Sequence, residues 1–456
     1  MSSSIILNTN ERKFILLLGD FVIVGLALSL FVNRAVDKEF LEFSTQVTLF
    51  AMGFILYLGY AYILEGYDIE KSNVHSGATT MKSIVTSLLF VVSLVVFSII
   101  VFDLSFWRKS LLIFLVSTPL QFLIWRMLFE SVFKIVHLTK NVFYIYDNTT
   151  SKNLTSDIKK INGEDFQTFY NVVETFSIEK DLPKFNDKIL RAENQINTWI
   201  VNIKDYNELP IVLESRLLNS MIEGKELLTF TSFYENVYEA LPIQSRNDSF
   251  YEILNLQGIR IRYLQAVMSF VLNSIFSCVV GLLFLLVLPF VIVLNALFNR
   301  GPLFYTQLRV GKFGKEFKIF KFRSMVVNAE KAGAKMASKN DARITAFGKI
   351  LRQYRIDELP QILSVIRGDM QFIGPRPERK VFVDQLKEIN PTYNVRHLIK
   401  PGITGWAQVK FKYGENLEDS IGKLEYDLYY IKNKSVLIDL KIIFKTVSTV
   451  LFSRGI

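Results

Sequence analysis

Apolar positions cluster along this chain instead of recurring at an even period. Four apolar runs fill the first 130 residues, at about 14–33, 43–64, 84–102 and 111–129. Each approaches the ~20 residues that cross ~30 Å of hydrocarbon. Asp20 interrupts the first run, and Pro119 and Arg126 interrupt the fourth. Four such runs in succession predict a four-helix transmembrane bundle over residues 1–139. No small-residue cleavage site follows the first run, so it reads as a membrane helix and not as a removable signal peptide. Arg12 and Lys13 at one end, with Arg126, Lys134 and Lys140 at the other, place both ends of the bundle on the cytoplasmic side.

A fifth apolar run differs in length. From Tyr263 to Asn299 no residue is charged, a stretch of 37 positions with Pro289 inside it. One reading is a tilted spanning helix with an interfacial extension. The other is a helix that dips into one leaflet, bends at Pro289 and returns. The dip is preferred, because one bent element explains both the excess length and a proline that removes a backbone hydrogen bond.

Residues 140–259 are polar and mixed. The stretches 141–146 and 198–203 read as buried strands, and 211–221 and 232–240 as helices. This alternation predicts a small α/β domain. The turn after the first strand runs Asp147 to Ser151 without a glycine. A dinucleotide fingerprint is therefore missing, and a structural or regulatory role is expected.

Composition narrows the class. Half of the 456 residues are hydrophobic and mean hydropathy is positive, which excludes a disordered chain. A single cysteine, Cys278, excludes a disulfide framework, and His75, His137 and His397 lie too far apart to suggest a metal motif. From Arg300 onward, 18 Lys and 11 Arg face 7 Asp and 8 Glu, so this third carries more positive charge than the whole chain's net +10. A basic domain on an apolar protein implies an anionic partner: phosphate, an acidic membrane surface or nucleic acid.

The chemistry-bearing residues lie in that third. The stretches 304–310 and 317–322 read as two strands joined through Gly311 and Gly314, and the second delivers Lys321 and Arg323 to one face. Two cations there suit a phosphate or diphosphate; taken alone they suit a solvated hairpin face better. A helix to about Arg355 is followed by a second that opens on Asp357, Glu358 and Pro360 and stops at Gly368. Asp357 has the residue type of a helix cap. Beside Arg352 and Arg355, at a positive helix end, the same pair can also act as an ionised nucleophile and a cation ligand. Two turn-rich loops, FIGPRPE with Arg376 and KPGITGWAQV with Lys400, present further cations, and Tyr426–Leu440 with Asp427 leads into an amphipathic C-terminal helix.

The ordered set GPLFYTQLRVGKFGKEFKIFKFRSM, DARIT, DELPQIL, GDMQFIGPRPE, KPGITGWAQV and YDLYYIKNKS resembles the catalytic domain of the bacterial sugar transferases, the monotopic phosphoglycosyl transferases. It covers nearly all of residues 260–456, and the upstream helices and α/β domain resemble the family's large members, which add a four-helix bundle and a nucleotide-fold-like domain. The resemblance implies a mainly helical catalytic domain with a re-entrant membrane helix over 263–299 and a short β-hairpin. It implies transfer of a sugar-1-phosphate from a UDP-sugar to polyprenyl phosphate, with release of UMP, in the first membrane step of exopolysaccharide, capsule, O-antigen or glycoprotein glycan synthesis. Asp357 would form an aspartyl phosphosugar, and Glu358 would help to hold Mg²⁺ and assist the acceptor. Lys321, Arg323, Arg352, Arg355, Arg376, Lys400, Lys412 and Asp427 are expected around the substrates. The expected partners are UDP-sugar, polyprenyl phosphate and membrane lipid, not nucleic acid, with the bundle offering a surface for homodimer pairing. The expected place is the bacterial inner membrane with the catalytic domain on its cytoplasmic face.

The chain departs from the family pattern in three places. Leu288 stands before Pro289 where many members have Ser, Phe411 and Lys412 follow the AQV motif where many have Gly-Arg, and the α/β domain lacks the glycine-rich turn. Two other readings stay open on the residues alone: an anionic-lipid-binding membrane protein or transporter without chemistry, and a lipid glycosyltransferase without a covalent intermediate.

Overall fold

The computed structural model describes residues 9–35, 42–64, 66–67, 76–102, 108–133, 140–163, 170–184, 187–188, 195–205, 209–243, 263–327, 329, 341–411 and 416–451. They form two compact units, Met1–Leu228 and Thr229–Ile456.

The first unit opens with four apolar helices, Thr9–Leu30, Phe43–Ile63, Ser76–Phe102 and Arg108–Phe133, the first extended by a π-helical turn, Phe31–Ala35. Each contains a segment long and apolar enough to cross a membrane. Val24, Leu28, Phe31, Leu49, Tyr57, Phe90, Leu94, Phe114 and Phe122 fill the space between the helices. Phe14, Val22, Ile55, Leu112 and Val116 point outward. Helices apolar on every face suit lipid and not water. The polar interruptions seen in the sequence meet inside: Arg126 Nη2 lies 2.7 Å from Asp20 Oδ2, which also accepts from Tyr57 Oη at 3.0 Å. Both charged residues are buried. Gly19 is required beside them, because a Cβ there would fall 1.9 Å from the Trp125 ring.

A four-stranded sheet follows, in the order β2-β1-β3-β4, with β1 Lys140–Tyr146, β2 Tyr170–Ser177, β3 Thr198–Asn202 and β4 Glu226–Thr229. β1 runs parallel to both β2 and β3. Phe143, Ile145, Phe176, Trp199 and Val201 bury one face against Leu213 and Leu217 of the Ile211–Ile222 helix. The mixed patterns of β2 and the short β4 escape sequence periodicity. At the carboxyl ends of β1 and β3, Asp147 accepts from the backbone N–H of Thr150 at 2.7 Å and of Lys204 at 2.6 Å. A carboxylate thus occupies the crevice where doubly wound sheets receive phosphates, in keeping with the missing glycine-rich turn.

The second unit is built along one helix, Tyr263–Phe298, which is continuous in secondary structure through Pro289. Phe284 and Val291 pack with Phe322, Phe347, Leu351 and Ile362. Near its start Ser269 Oγ donates to the buried Asp439 at 3.0 Å, and at its end Asn299 Nδ2 donates to the Arg323 carbonyl at 2.8 Å. The folded domain therefore touches the helix from position 269 to position 299. An antiparallel hairpin, β5 Phe304–Val310 and β6 Glu316–Phe322, lies where the sequence places it. β7 Gln371–Ile373 and β8 Gly402–Thr404 form a small parallel pair. The Leu417–Lys432 helix begins with a capping box between Asn416 and Asp419, and Val436–Leu451 closes the domain. The segment from Phe230 to Ile243 joins this unit: Tyr234 Oη and the Ile243 N–H both donate to the buried Glu425, and Trp406 Nε1 donates to the Glu239 carbonyl.

Candidate active site

The site begins with a forced turn. The Ala346–Gln353 helix stops, Arg355 takes a left-handed conformation (φ 54°), and a 3₁₀ helix, Ile356–Gln361, follows and runs into the α-helix Ile362–Ile366. Sequence reading gives Asp357 the cap position. In the structure Arg355 holds it, and Asp357 and Glu358 sit in the first turn. Gly368 ends the element with φ 81°, as its residue type predicts.

Glu358 is the hub. Its Oε2 accepts from Arg376 Nη1 at 3.2 Å, and its Oε1 accepts from Arg376 Nη2 and from Lys321 Nζ, the latter at 3.2 Å. Burial alone would raise its pKa. The guanidinium of Arg376 and the ammonium of Lys321, with Arg355 nearby, hold it well below the carboxylate range instead. Asp357 behaves in the opposite way. It is 7% exposed, and burial, followed by the charge of Glu358, pushes its carboxyl up to about 6 against the pull of Lys321, Arg352 and Arg376. Two adjacent carboxylates are thus driven apart: one a permanent anion that organises cations, the other a free carboxylate among those cations. Arg352 is itself steadied by Ser324, whose Oγ accepts from Nε at 2.9 Å.

Behind Arg376 stands a second layer. Arg396 donates to the Arg376 carbonyl at 2.8 Å and pairs with the buried Asp427 at 2.8 Å. Arg309 reaches the same loop, donating to the Pro377 carbonyl at 3.2 Å and to Glu378 at 3.0 Å. The loop fits against β8 because Gly374 and Gly402 lack side chains; a Cβ on Gly402 would lie 2.1 Å from the Gly374 nitrogen.

Lys321, Arg352, Arg355 and Arg376 are therefore gathered around Asp357 and Glu358. Arg323 is not. It lies one residue past β6, and its guanidinium is spent on the carbonyls of Asn299, Pro302 and Met325, locking the end of the long helix to the hairpin. Asp427 acts on Arg396 and reaches the carboxylate pair only through Arg396 and Arg376. Lys400 Nζ lies by Gly368, at the far end of the element that Asp357 opens. Lys412 lies outside the described residues. Arg396, Arg309 and Ser324 were not legible as site residues, because only folding brings them to the Arg376 loop and to Arg352.

Among the described residues no group of three or more His, Cys, Asp and Glu could hold a metal ion. The donors in the site are two adjacent carboxylates. That set fits Mg²⁺ completing its shell with phosphate oxygens and water, and does not form an all-protein cage.

A buried Asp357 and a half-buried Glu358 inside a ring of cations, carried on a domain packed along an apolar helix, make a charged site suited to an anionic group. Residues 264–453 match the family described as bacterial sugar transferase. The UDP-N-acetylgalactosamine-undecaprenyl-phosphate N-acetylgalactosaminephosphotransferase of Aeromonas hydrophila is 49% identical over 163 residues, 36% of this chain and 38% of that protein. The UDP-glucose:undecaprenyl-phosphate glucose-1-phosphate transferase of Escherichia coli (strain K12) is 42% identical over 151 residues, 33% of this chain and 32% of that one. The exopolysaccharide production protein PSS of Rhizobium leguminosarum bv. phaseoli is 38% identical over 198 residues, 41% of this chain and 98% of its own length. The chain belongs to the bacterial sugar transferase family. The matches to the Aeromonas and Escherichia proteins span 38% and 32% of those proteins.

Proposed function

We propose that this protein transfers a sugar-1-phosphate from a UDP-sugar to polyprenyl phosphate by way of an aspartyl phosphosugar. The observation that carries the reading is Asp357: a buried carboxylate with no cation bonded to it among the described residues, beside a second carboxylate that holds Arg376 and Lys321. Asp357 Oδ attacks the sugar-bearing phosphorus; a P–O bond to Asp357 forms, the bond to the bridging oxygen breaks, and UMP leaves with that oxygen. A phosphate oxygen of the lipid then attacks the same phosphorus and frees Asp357. Arg376, Lys321, Arg352 and Arg355 stabilise the charge that builds on the phosphoryl oxygens. Glu358 stays ionised throughout and keeps Arg376 and Lys321 aimed at the site. Glu358 would help to hold a divalent cation, which would supply charge neutralisation.

One substrate is soluble and the other lies in the bilayer, so the site belongs at the membrane surface. We place it on the cytoplasmic face of the bacterial inner membrane, with the long helix re-entrant and bent near Pro289. The domain's contacts with that helix support this. Thirty residues of straight helix measure about 45 Å, against ~30 Å of hydrocarbon. A spanning helix would have to drag its polar partners, Asp439 at one end and Arg323 at the other, through the bilayer. We further propose the division into a bundle at 1–139, an α/β domain at 140–259 and a catalytic domain at 260–456, with homodimer pairing through the bundle.

The test is nucleotide release from a panel of UDP-sugars in the presence of polyprenyl phosphate. UMP supports the reading; UDP, or release that persists in Asp357→Asn, refutes it.

A further inference from the structure

Asn273 stands in the middle of the uncharged run, and all of its hydrogen-bonding capacity is directed at two places. Nδ2 donates to the Ser269 carbonyl one turn back, at 2.7 Å. Oδ1 accepts from two successive backbone N–H groups of β7, Phe372 at 3.0 Å and Ile373 at 3.2 Å. The side chain is buried, and Phe276, one turn further on, stacks its ring on Phe372 at 5.7 Å. An amide in an apolar helix is costly unless fully satisfied, and here the backbone of one strand satisfies it. That strand has β8 paired to it, Asn273 holds its Phe372 and Ile373 N–H groups, and it runs directly into Gly374, Pro375 and Arg376. Arg376 then grips Glu358.

We infer that Asn273 is a positioning residue: it fixes the Arg376 loop to the membrane helix, so that the helix sets where the phosphate-binding cations stand. This rests on the transferase reading above. Loosening that loop displaces Arg376 from Glu358, so turnover falls while the fold persists.

The test uses the full chain in detergent or nanodiscs, with wild type, Asn273→Ala and Asn273→Asp, a UDP-sugar accepted by the wild type, and polyprenyl phosphate. In Asn273→Ala, kcat for UMP release is expected to fall by about 10- to 100-fold, as for a misplaced reacting group, with little change in KM for the UDP-sugar. Asn273→Asp keeps an acceptor for both N–H groups and is expected to restore kcat to near wild type. An alanine variant with wild-type kcat overturns the inference. So does an aspartate variant that folds but is as slow as alanine. If the alanine variant does not accumulate, the aspartate variant decides alone: near-wild-type turnover sustains the acceptor role, and loss of turnover ends it. A wild type that releases no UMP refutes the transferase reading instead.

Discussion

Replacing Asp357 by Asn separates catalysis from stability in a way that a structural carboxylate would not. Burial and the neighbouring Glu358 raise the Asp357 carboxyl from 3.8 to about 6. An elevated folded-state pKa means that the ionised form is disfavoured by the fold. The cost is absent below the unfolded value near 4, grows as pH rises toward 6, and is complete above it. About two units at about 1.4 kcal/mol each set an upper bound near 3 kcal/mol at pH 8. The incoming amide brings buried N–H donors, and each one left unpaired costs about 1–3 kcal/mol. With one of its two N–H groups left unpaired, the expected net effect at pH 8 is between neutral and about 2 kcal/mol of added stability, with UMP release abolished. The assay is thermal unfolding of the solubilised protein followed by intrinsic fluorescence at pH 8 and pH 4, beside turnover. Any stabilisation relative to wild type should shrink at pH 4, where wild-type Asp357 is protonated. A variant that unfolds well below wild type at both pH values, or that turns over, would refute the reasoning.

Arg376→Lys keeps the charge but loses the two-pronged grip on Glu358; a fall in kcat/KM of at least about 10-fold is expected, corresponding to about 1.4 kcal/mol, and steady-state kinetics checks it. Asp427→Asn leaves Arg396 buried without its charged partner, so a loss of about 3 kcal/mol in stability should appear in denaturant unfolding. Excess chelator should stop UMP release and added Mg²⁺ or Mn²⁺ restore it; full activity in chelator would leave the cationic side chains as the only neutralisers. With Cys278 replaced, cysteines placed at Arg262 and Arg300 should react with impermeant reagent from the same side of the membrane, and labelling from opposite sides would establish a span.

Sequence legibility followed the range of the interactions. The apolar runs, the β5–β6 hairpin and the Asp357–Glu358 pair are local features, and period or residue type exposes them. Lys321 was legible because strand alternation fixes its face, whereas Arg323, just beyond the strand, no longer obeys that alternation and turns to the end of the long helix. The Arg396–Asp427 pair joins residues 31 positions apart, and neither signals the other. Pro289 suggests a bend in the sequence, whereas the helix is continuous in secondary structure through it; Asn273, an uncharged residue in an uncharged run, gave no sign that it reaches β7. β2 and β4 were missed because neither alternates cleanly between buried and exposed positions.

The Asp20–Arg126 pair has a consequence for how the bundle is made. Asp20 lies on the first helix to be synthesised and Arg126 on the fourth, and Tyr57 of the second helix donates to the same carboxylate. Each charge alone costs about 2.5–3.5 kcal/mol at the centre of a membrane helix. Were the helices to enter a bilayer in turn, the first would carry its acid without its base for more than a hundred residues, until Arg126 followed. A chain without Arg126 would keep Asp20 buried with Tyr57 as a donor but with no opposite charge beside it.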